Sequence, residues 1–435
     1  MKAVVIGGGA AGMSSASKLR RNDPDSEIVV IDSGSFVSYA ECGIPYFLSG
    51  LVRSADSLIH YPLEEFTINR RIKVLTNTKV KSINTDRKLV YVTGGETLEY
   101  DKLIIASGSR AKRGKLWIDG KCHSVRTLDE AIQIKIDLKD KNVGILGDSI
   151  LGVELASELS QTGWNVTLFS KHEEIMKRMD KRVIREMIEA LKSKITVVYF
   201  KNLELTESER GTPIVKVNNS DLEFSHLFYA IGTEPNTEFL ANSKIELDHD
   251  GFVLVNNKME TSVNGVYSAG DCAIFKNRID GKRENFPLAQ VANKMGRVAG
   301  ANASGRDMIF QGSIGTTLLK VLDFEIGFCG LSEEDSKNRG FQVESKIVTG
   351  WSRAKYYPGG SNITVKIVYD KNSKLLLGGE ICSKDNGAWR LNVIATAISG
   401  KMTTEDLFYA DLGYTPPFGP VWDPIIIAAS LTMRD

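Results

Sequence analysis

The residue in this chain best suited to covalent chemistry is Cys42, in the run Ser38-Tyr39-Ala40-Glu41-Cys42-Gly43-Ile44-Pro45-Tyr46. A proline at position 45 suits the first turn of a helix, where its missing N–H would be unpaired in any case. A thiol just ahead of such a turn faces unpaired amides and the positive end of the helix dipole, and both favour the thiolate. The competing reading is a structural cysteine, because an unreactive thiol packs as a small hydrophobe. The other four cysteines, Cys122, Cys272, Cys329 and Cys382, form no close pair with Cys42 or with one another. This spacing suggests neither a disulfide framework nor a zinc site, and the five histidines are equally dispersed, so no metal is expected. Redox chemistry here would rest on a single thiol.

Two glycine-rich turns are placed to position nucleotides around such a thiol. Lys2-Ala3-Val4-Val5-Ile6 reads as a strand, Gly7-Gly8-Gly9-Ala10-Ala11-Gly12 as a turn, residues 13–21 as a helix, and Glu27 to Ile31 as a second strand ending at Asp32. In a dinucleotide fingerprint Gly7 would permit the tight turn, Gly9 would admit a pyrophosphate to the backbone, and Gly12 would let helix and strand pack closely. Asp32 then stands where an acid holds a ribose hydroxyl. Residues 142–146 form another strand, followed by Gly147-Asp148-Ser149-Ile150-Leu151-Gly152, a helix to about residue 163, and the strand Val166-Thr167-Leu168-Phe169. This second fingerprint carries Ser149 at its middle glycine, so a side chain stands where backbone would touch phosphate. Its second strand runs into Ser170-Lys171-His172, where an NADH-selective site would present a carboxylate. A hydroxyl and an ammonium suit a 2′-phosphate instead, so NADPH is the expected nicotinamide, with NADH accepted beside it.

Composition bounds the rest. A chain of 435 residues, 42% hydrophobic, can bury two or three domain cores, and a net charge of +1 gives no global field for nucleic acid. The start of the chain runs directly into a strand and no apolar run is long enough to span a bilayer, so a cytoplasmic protein that meets no membrane is expected. Beyond about residue 304 the pattern changes to alternating strands, as in Asn362-Ile363-Thr364-Val365-Lys366-Ile367-Val368-Tyr369. The proline-rich Tyr414-Thr415-Pro416-Pro417-Phe418 reads as a surface loop.

Together these residues resemble the pyridine nucleotide–disulfide oxidoreductases. Four markers carry the resemblance in order: Gly7 to Gly12 with Asp32, Ala106-Ser107-Gly108, the second fingerprint at Gly147 to Gly152, and Gly270-Asp271. The resemblance implies an α/β fold with two nested Rossmann-like domains and a C-terminal α+β dimerisation domain. The expected boundaries are 1–113 with 246–308 for FAD, 114–245 for NAD(P)H, and 309–435 for dimerisation. It also implies that Asp271 binds the flavin's ribityl chain. Gly7, Gly9, Ala10, Ala11, Gly12, Asp32, Ser107, Gly108, Gly147, Ser149, Gly152, Ser170, Lys171, Gly232 and Gly270 complete the expected cofactor set.

With no second cysteine near Cys42, the chain is similar to the single-cysteine branch, and most of all to the coenzyme A disulfide reductases. That likeness implies reduction of CoA disulfide by NAD(P)H through FAD and a mixed disulfide between Cys42 and CoA. It also implies a homodimer in which Tyr356, within Lys355-Tyr356-Tyr357-Pro358-Gly359-Gly360, and Tyr414 reach into the partner's active site. Ser38 would be a lesser polar neighbour of the thiol. Arg20 and Arg21 would hold CoA phosphates, or one of them is a solvent-facing charge of its helix. Peroxidase-type relatives carry a histidine inside the first fingerprint, where this chain has Ala10, which favours a disulfide substrate. Polysulfide or persulfide reduction, NADH oxidation, and a non-catalytic flavin-based redox-sensing module are the rival readings.

Overall fold

The computed structural model describes residues 1–137 and 140–433, which form two compact units. The first comprises Met1–Lys141, Leu205–Ile214 and Glu223–Ser313; the second comprises Asn142–Glu204, Val215–Leu222 and Ile314–Asp435.

In the first unit five parallel strands run in the order Val266–Ser268, Lys102–Ile105, Lys2–Ile6, Glu27–Ile31, Lys73–Leu75. Their sequences are continuous apolar stretches because both faces of the sheet are covered. Val5, Val30, Leu103, Ile104 and Ile105 are fully buried. The helices Ala10–Asn22 and Ala289–Ala303 pack against each other over this sheet, with Val291, Met295 and Val298 pointing into the same core. Gly7 has φ +107°, and a Cβ on it would lie 2.0 Å from the Ala106 carbonyl oxygen. A Cβ on Gly12 would meet the Gly7 carbonyl oxygen at 1.8 Å, so the fingerprint glycines are required by the turn and the helix–strand contact.

In the second unit Asn142–Leu146, Asn165–Ser170 and Thr196–Tyr199 pair in parallel. The helix Ile150–Gln161 follows the first of these strands. The helix Lys181–Lys192 buries Val183, Ile184, Met187 and Leu191, one stripe at helical spacing. An antiparallel sheet in the order Thr317–Val321, Phe324–Gly330, Leu376–Ser383, Asn362–Asp370, Val343–Trp351 carries the rest, covered by the helices Leu391–Ser399 and Pro424–Ser430. Lys366, 3% exposed, is held by Asp180 at 2.8 Å and Glu333 at 3.3 Å, the pairing a buried ammonium needs. Among the described residues no helix is long and apolar enough to cross a membrane.

Candidate active site

Cys42 lies in a 3-10 turn, Glu41–Gly43, that leads into the helix Ile44–Ser49 with Pro45 in its first turn. The helix starts where the proline predicted. It has only six residues, so the dipole acting on Cys42 is that of its first-turn amides alone. Buried Ile44, Phe47 and Leu48 anchor it. At its far end the Lys135 ammonium donates to the Phe47 carbonyl at 2.6 Å and lies 4.0 Å from the Phe47 ring centroid. None of the five cysteines is disulfide-bonded, and Cys42 alone among them is exposed. Burial pushes the Cys329 and Cys382 thiols up to about 12 and raises those of Cys122 and Cys272, which keeps all four as inert thiols.

The segment bearing Cys42 is stitched to the first fingerprint. Ser38, at φ +53°, donates its amide to the Gly8 carbonyl at 2.9 Å and accepts from the His60 amide at 2.8 Å. Ala40 donates to the Leu58 carbonyl at 2.8 Å. Asp32 accepts from the Gly8 amide at 2.6 Å and from the Gly34 amide at 2.7 Å, and burial raises its carboxyl above the usual range. A Cβ on Gly9 would meet only Glu41 Oε1, at 3.6 Å, so the backbone there is open to a ligand.

Asp271 accepts from Arg126 Nη2 at 2.6 Å and from the Ser109 hydroxyl at 3.3 Å, while Arg126 Nη1 lies 3.4 Å from Glu41. Burial pushes the Glu41 carboxyl up and Arg126 opposes that shift. Arg126 thus joins the residue beside the thiol to the aspartate of the Gly270-Asp271 turn. Sequence reasoning passed over Arg126, which sits in no motif, and Glu41, which stood unremarked within the Cys42 run. The two runs that close the sequence units meet: the Ser107 hydroxyl donates to the Asn236 carbonyl at 2.6 Å, and the Asn236 amide to the Gly108 carbonyl at 3.0 Å. Gly232, at φ +105°, accepts from the Lys112 amide at 2.9 Å.

Arg20 is occupied otherwise than expected. Its guanidinium donates to the carbonyls of Arg70, Pro24 and Arg71 at 2.9, 2.6 and 2.7 Å, whereas Arg21 is exposed. In the second unit Ser149 is the N-cap of the helix Ile150–Gln161 and accepts from the Gly152 amide at 3.3 Å. The side chain at the middle fingerprint position therefore serves the helix start. Ser170 is fully buried, and its hydroxyl donates to the His172 carbonyl at 2.6 Å, while Lys171 is exposed. Tyr356 and Tyr414 are exposed, and the influence of Tyr414 holds the Tyr356 phenol above its ordinary range.

Residues 1–296 match the pyridine nucleotide-disulphide oxidoreductase family. The chain belongs to that family. Residues 317–424 of this oxidoreductase match the family's dimerisation domain. It is 36% identical over 437 residues to the NAD(P)H coenzyme A polysulfide/persulfide reductase of Pyrococcus horikoshii, covering 98% of this chain and 97% of that one. With the coenzyme A disulfide reductase of Staphylococcus aureus it shares 28% identity over 426 residues, 96% of each chain. A solved structure of an NAD-dependent persulfide reductase from A. fulgidus superimposes with a TM-score of 0.95 at 30% identity, over 100% of this chain and 83% of that one. The oxidoreductase is therefore an NAD(P)H-dependent flavoprotein enzyme, with the Rossmann-like sheets and C-terminal dimerisation domain expected of it, and membership sets the sensing-module reading aside.

The residues present fit FAD. The turn at Gly9 is open to a pyrophosphate, Asp32 is fixed at the end of its strand, and the Arg126 cation stands with Asp271 in the same unit.

Proposed function

We propose that this oxidoreductase reduces coenzyme A disulfide to CoA thiol with NAD(P)H, and that Cys42 carries CoA as a mixed disulfide. The observation that carries the reading is that Cys42 is the exposed thiol among five, hydrogen-bonded by its own segment to the first fingerprint turn. FAD, when bound, supplies the two-electron link between nicotinamide and disulfide. The Cys42 thiolate attacks one sulfur of CoA disulfide, an S–S bond forms to Cys42 as the CoA–CoA bond breaks, and one CoA thiolate leaves and takes a proton. Two electrons and a proton then cleave the Cys42–CoA bond, releasing the second CoA thiol and restoring the thiolate. Tyr356 and Tyr414 donate protons to the departing thiolates, and Ser38 is a polar neighbour of the thiol.

The domain boundaries at 113/114, 245/246 and 308/309 belong to this reading. So do Asp271 as the ribityl ligand and Arg21 as the candidate for a CoA phosphate. The enzyme works as a homodimer, with Tyr356 and Tyr414 completing the partner's site. In support, the exposed Trp389, Phe418, Val421 and Trp422 line a groove of about 1120 Å³ in the region matched to the dimerisation domain. A cytoplasmic setting suits a protein in which none of the five cysteines is paired with another.

The names of the Pyrococcus and A. fulgidus relatives favour a second substrate of the same chemistry, a CoA persulfide or polysulfide. Mass spectrometry of unreduced protein should find a CoA-sized adduct on Cys42. Cys42→Ser should keep its flavin and lose S–S reduction, because a hydroxyl cannot form the mixed disulfide. Substantial turnover in that variant would sink the single-thiol mechanism. The ratio of kcat/KM for CoA disulfide and CoA persulfide distinguishes the two substrates, and rapid NADH turnover with oxygen alone would point to an oxidase.

A further inference from the structure

We propose that Arg390 is a positioning residue for disulfide reduction: one guanidinium locks together the loops that carry Tyr356 and Tyr414. This rests on the reading of those tyrosines as proton donors. Arg390 Nη2 donates to the Ser352 carbonyl at 2.7 Å, at the base of the Tyr356 loop, and to the Phe418 carbonyl at the end of the Tyr414 loop. Its Nε donates to Asp423 Oδ2 at 2.8 Å, and the other oxygen of Asp423 accepts from the Ile425 amide at 2.9 Å, the N-cap of the helix Pro424–Ser430. Three segments thus converge on one planar fork.

The need for such a clamp follows from the tyrosines themselves. Tyr356 is 76% exposed and Tyr414 48% exposed, so little packing restrains either ring. Their relative placement depends on the loops, which are joined directly by the Ala354 amide donating to the Pro416 carbonyl at 3.1 Å. The Arg390 and Asp423 side chains are each 16% exposed, so within the clamp the ion pair and the bond to the Ser352 carbonyl are partly buried, while the bond to the Phe418 carbonyl lies at the surface. A lysine could not reproduce it. An ammonium lacks the flat array of donors that reaches a carboxylate and two carbonyls from one side.

The test compares Arg390→Met, Arg390→Lys and Tyr414→Phe in the FAD-loaded dimer. Three quantities are read: kcat and KM for CoA disulfide, flavin content, and ultraviolet titration of tyrosinate. Both Arg390 variants should hold wild-type flavin and lose about ten- to a hundredfold in kcat with CoA disulfide, as expected for displaced proton donors. They should also ionise one tyrosine at lower pH, the same change expected of Tyr414→Phe. If Arg390→Met does not yield folded protein, Arg390→Lys is the decisive variant. Wild-type kcat and an unchanged tyrosinate titration in the folded variant, beside an impaired Tyr414→Phe, would overturn the proposal. Wild-type turnover in Tyr414→Phe would instead overturn the proton-donor reading, and the titration would still show whether Arg390 sets the tyrosine pair.

Discussion

Tyr414, far from Tyr356 in sequence and on a different loop, is the main influence that holds the Tyr356 hydroxyl above the usual tyrosine range. The neighbouring phenol favours the neutral form of Tyr356 over its anion. A raised value keeps the proton on Tyr356 further into alkali, so the group stays a donor. Tyr414→Phe should bring Tyr356 ionisation back toward its ordinary range and lower disulfide turnover about tenfold or more while flavin content stays unchanged. Mixing Cys42→Ser with Tyr414→Phe subunits should restore part of the activity, because one of the two sites in each heterodimer then has both groups. No recovery after verified subunit exchange would count against sites completed by the partner.

Arg126 is the cation between Glu41 and Asp271. Arg126→Met removes it and leaves both carboxylates without their counter-charge in a partly buried setting. The variant should purify with much less flavin than wild type. The ratio of flavin to protein absorbance checks this, and a fully flavinated variant would show that Arg126 does not help to hold the cofactor.

The second nucleotide site makes a divided prediction for Ser170 and Lys171. With the Ser170 hydroxyl buried and committed to His172, Lys171 is the residue of the two left to meet a 2′-phosphate. Lys171→Ala should cost NADPH about tenfold or more in kcat/KM and spare NADH, given roughly 1.5–3 kcal/mol for a charged hydrogen bond. Ser170→Ala should instead lower thermal stability by about 1 kcal/mol with little effect on selectivity. Steady-state kinetics with both cofactors decides; unchanged selectivity in Lys171→Ala would remove Lys171 from the site.

Acid should destabilise the fold through His123 and His226, whose ring nitrogens are 2.9 Å apart in a buried setting. Burial lowers His123 from the usual 6.5 to about 4, with the charge of His226 acting in the same direction, and burial lowers His226 as well. The folded pair resists protons that the unfolded chain accepts. Its stabilising effect is therefore complete above pH 6.5 and is lost as pH falls toward about 4, at about 1.4 kcal/mol per unit of pKa difference. His123→Gln keeps a hydrogen-bonding partner without the titration. Melting curves between pH 7 and pH 4 should show a shallower decline for that variant than for wild type, and parallel declines would assign the acid lability to other groups.

The local signals in the sequence were strong where the chemistry is local. A tight turn before a helix needs glycine at positions 7 and 12 whatever surrounds it, and a proline at 45 sets a helix start whatever that helix packs against. Both fingerprints, the change of texture after the second nucleotide unit and the proline-rich loop at Tyr414 were legible for that reason. Side-chain commitments were not. Ser170 looked like a phosphate ligand until its hydroxyl was seen bonded to His172, Ser149 looked like an obstacle until it proved to be a helix cap, and the Arg20 guanidinium is taken by three carbonyls of neighbouring turns. Arg126 and Arg390 had no signal at all, because an isolated arginine acquires its role from the carboxylates and carbonyls that distant segments bring to it. The sequence by itself determined the two glycine-rich strand–turn–helix units and the helix start just after Cys42, through backbone constraints that act over a few residues. The tertiary structure decided which polar side chains remain available for ligands, because the hydrogen-bond partners that occupy or release them come from remote parts of the chain.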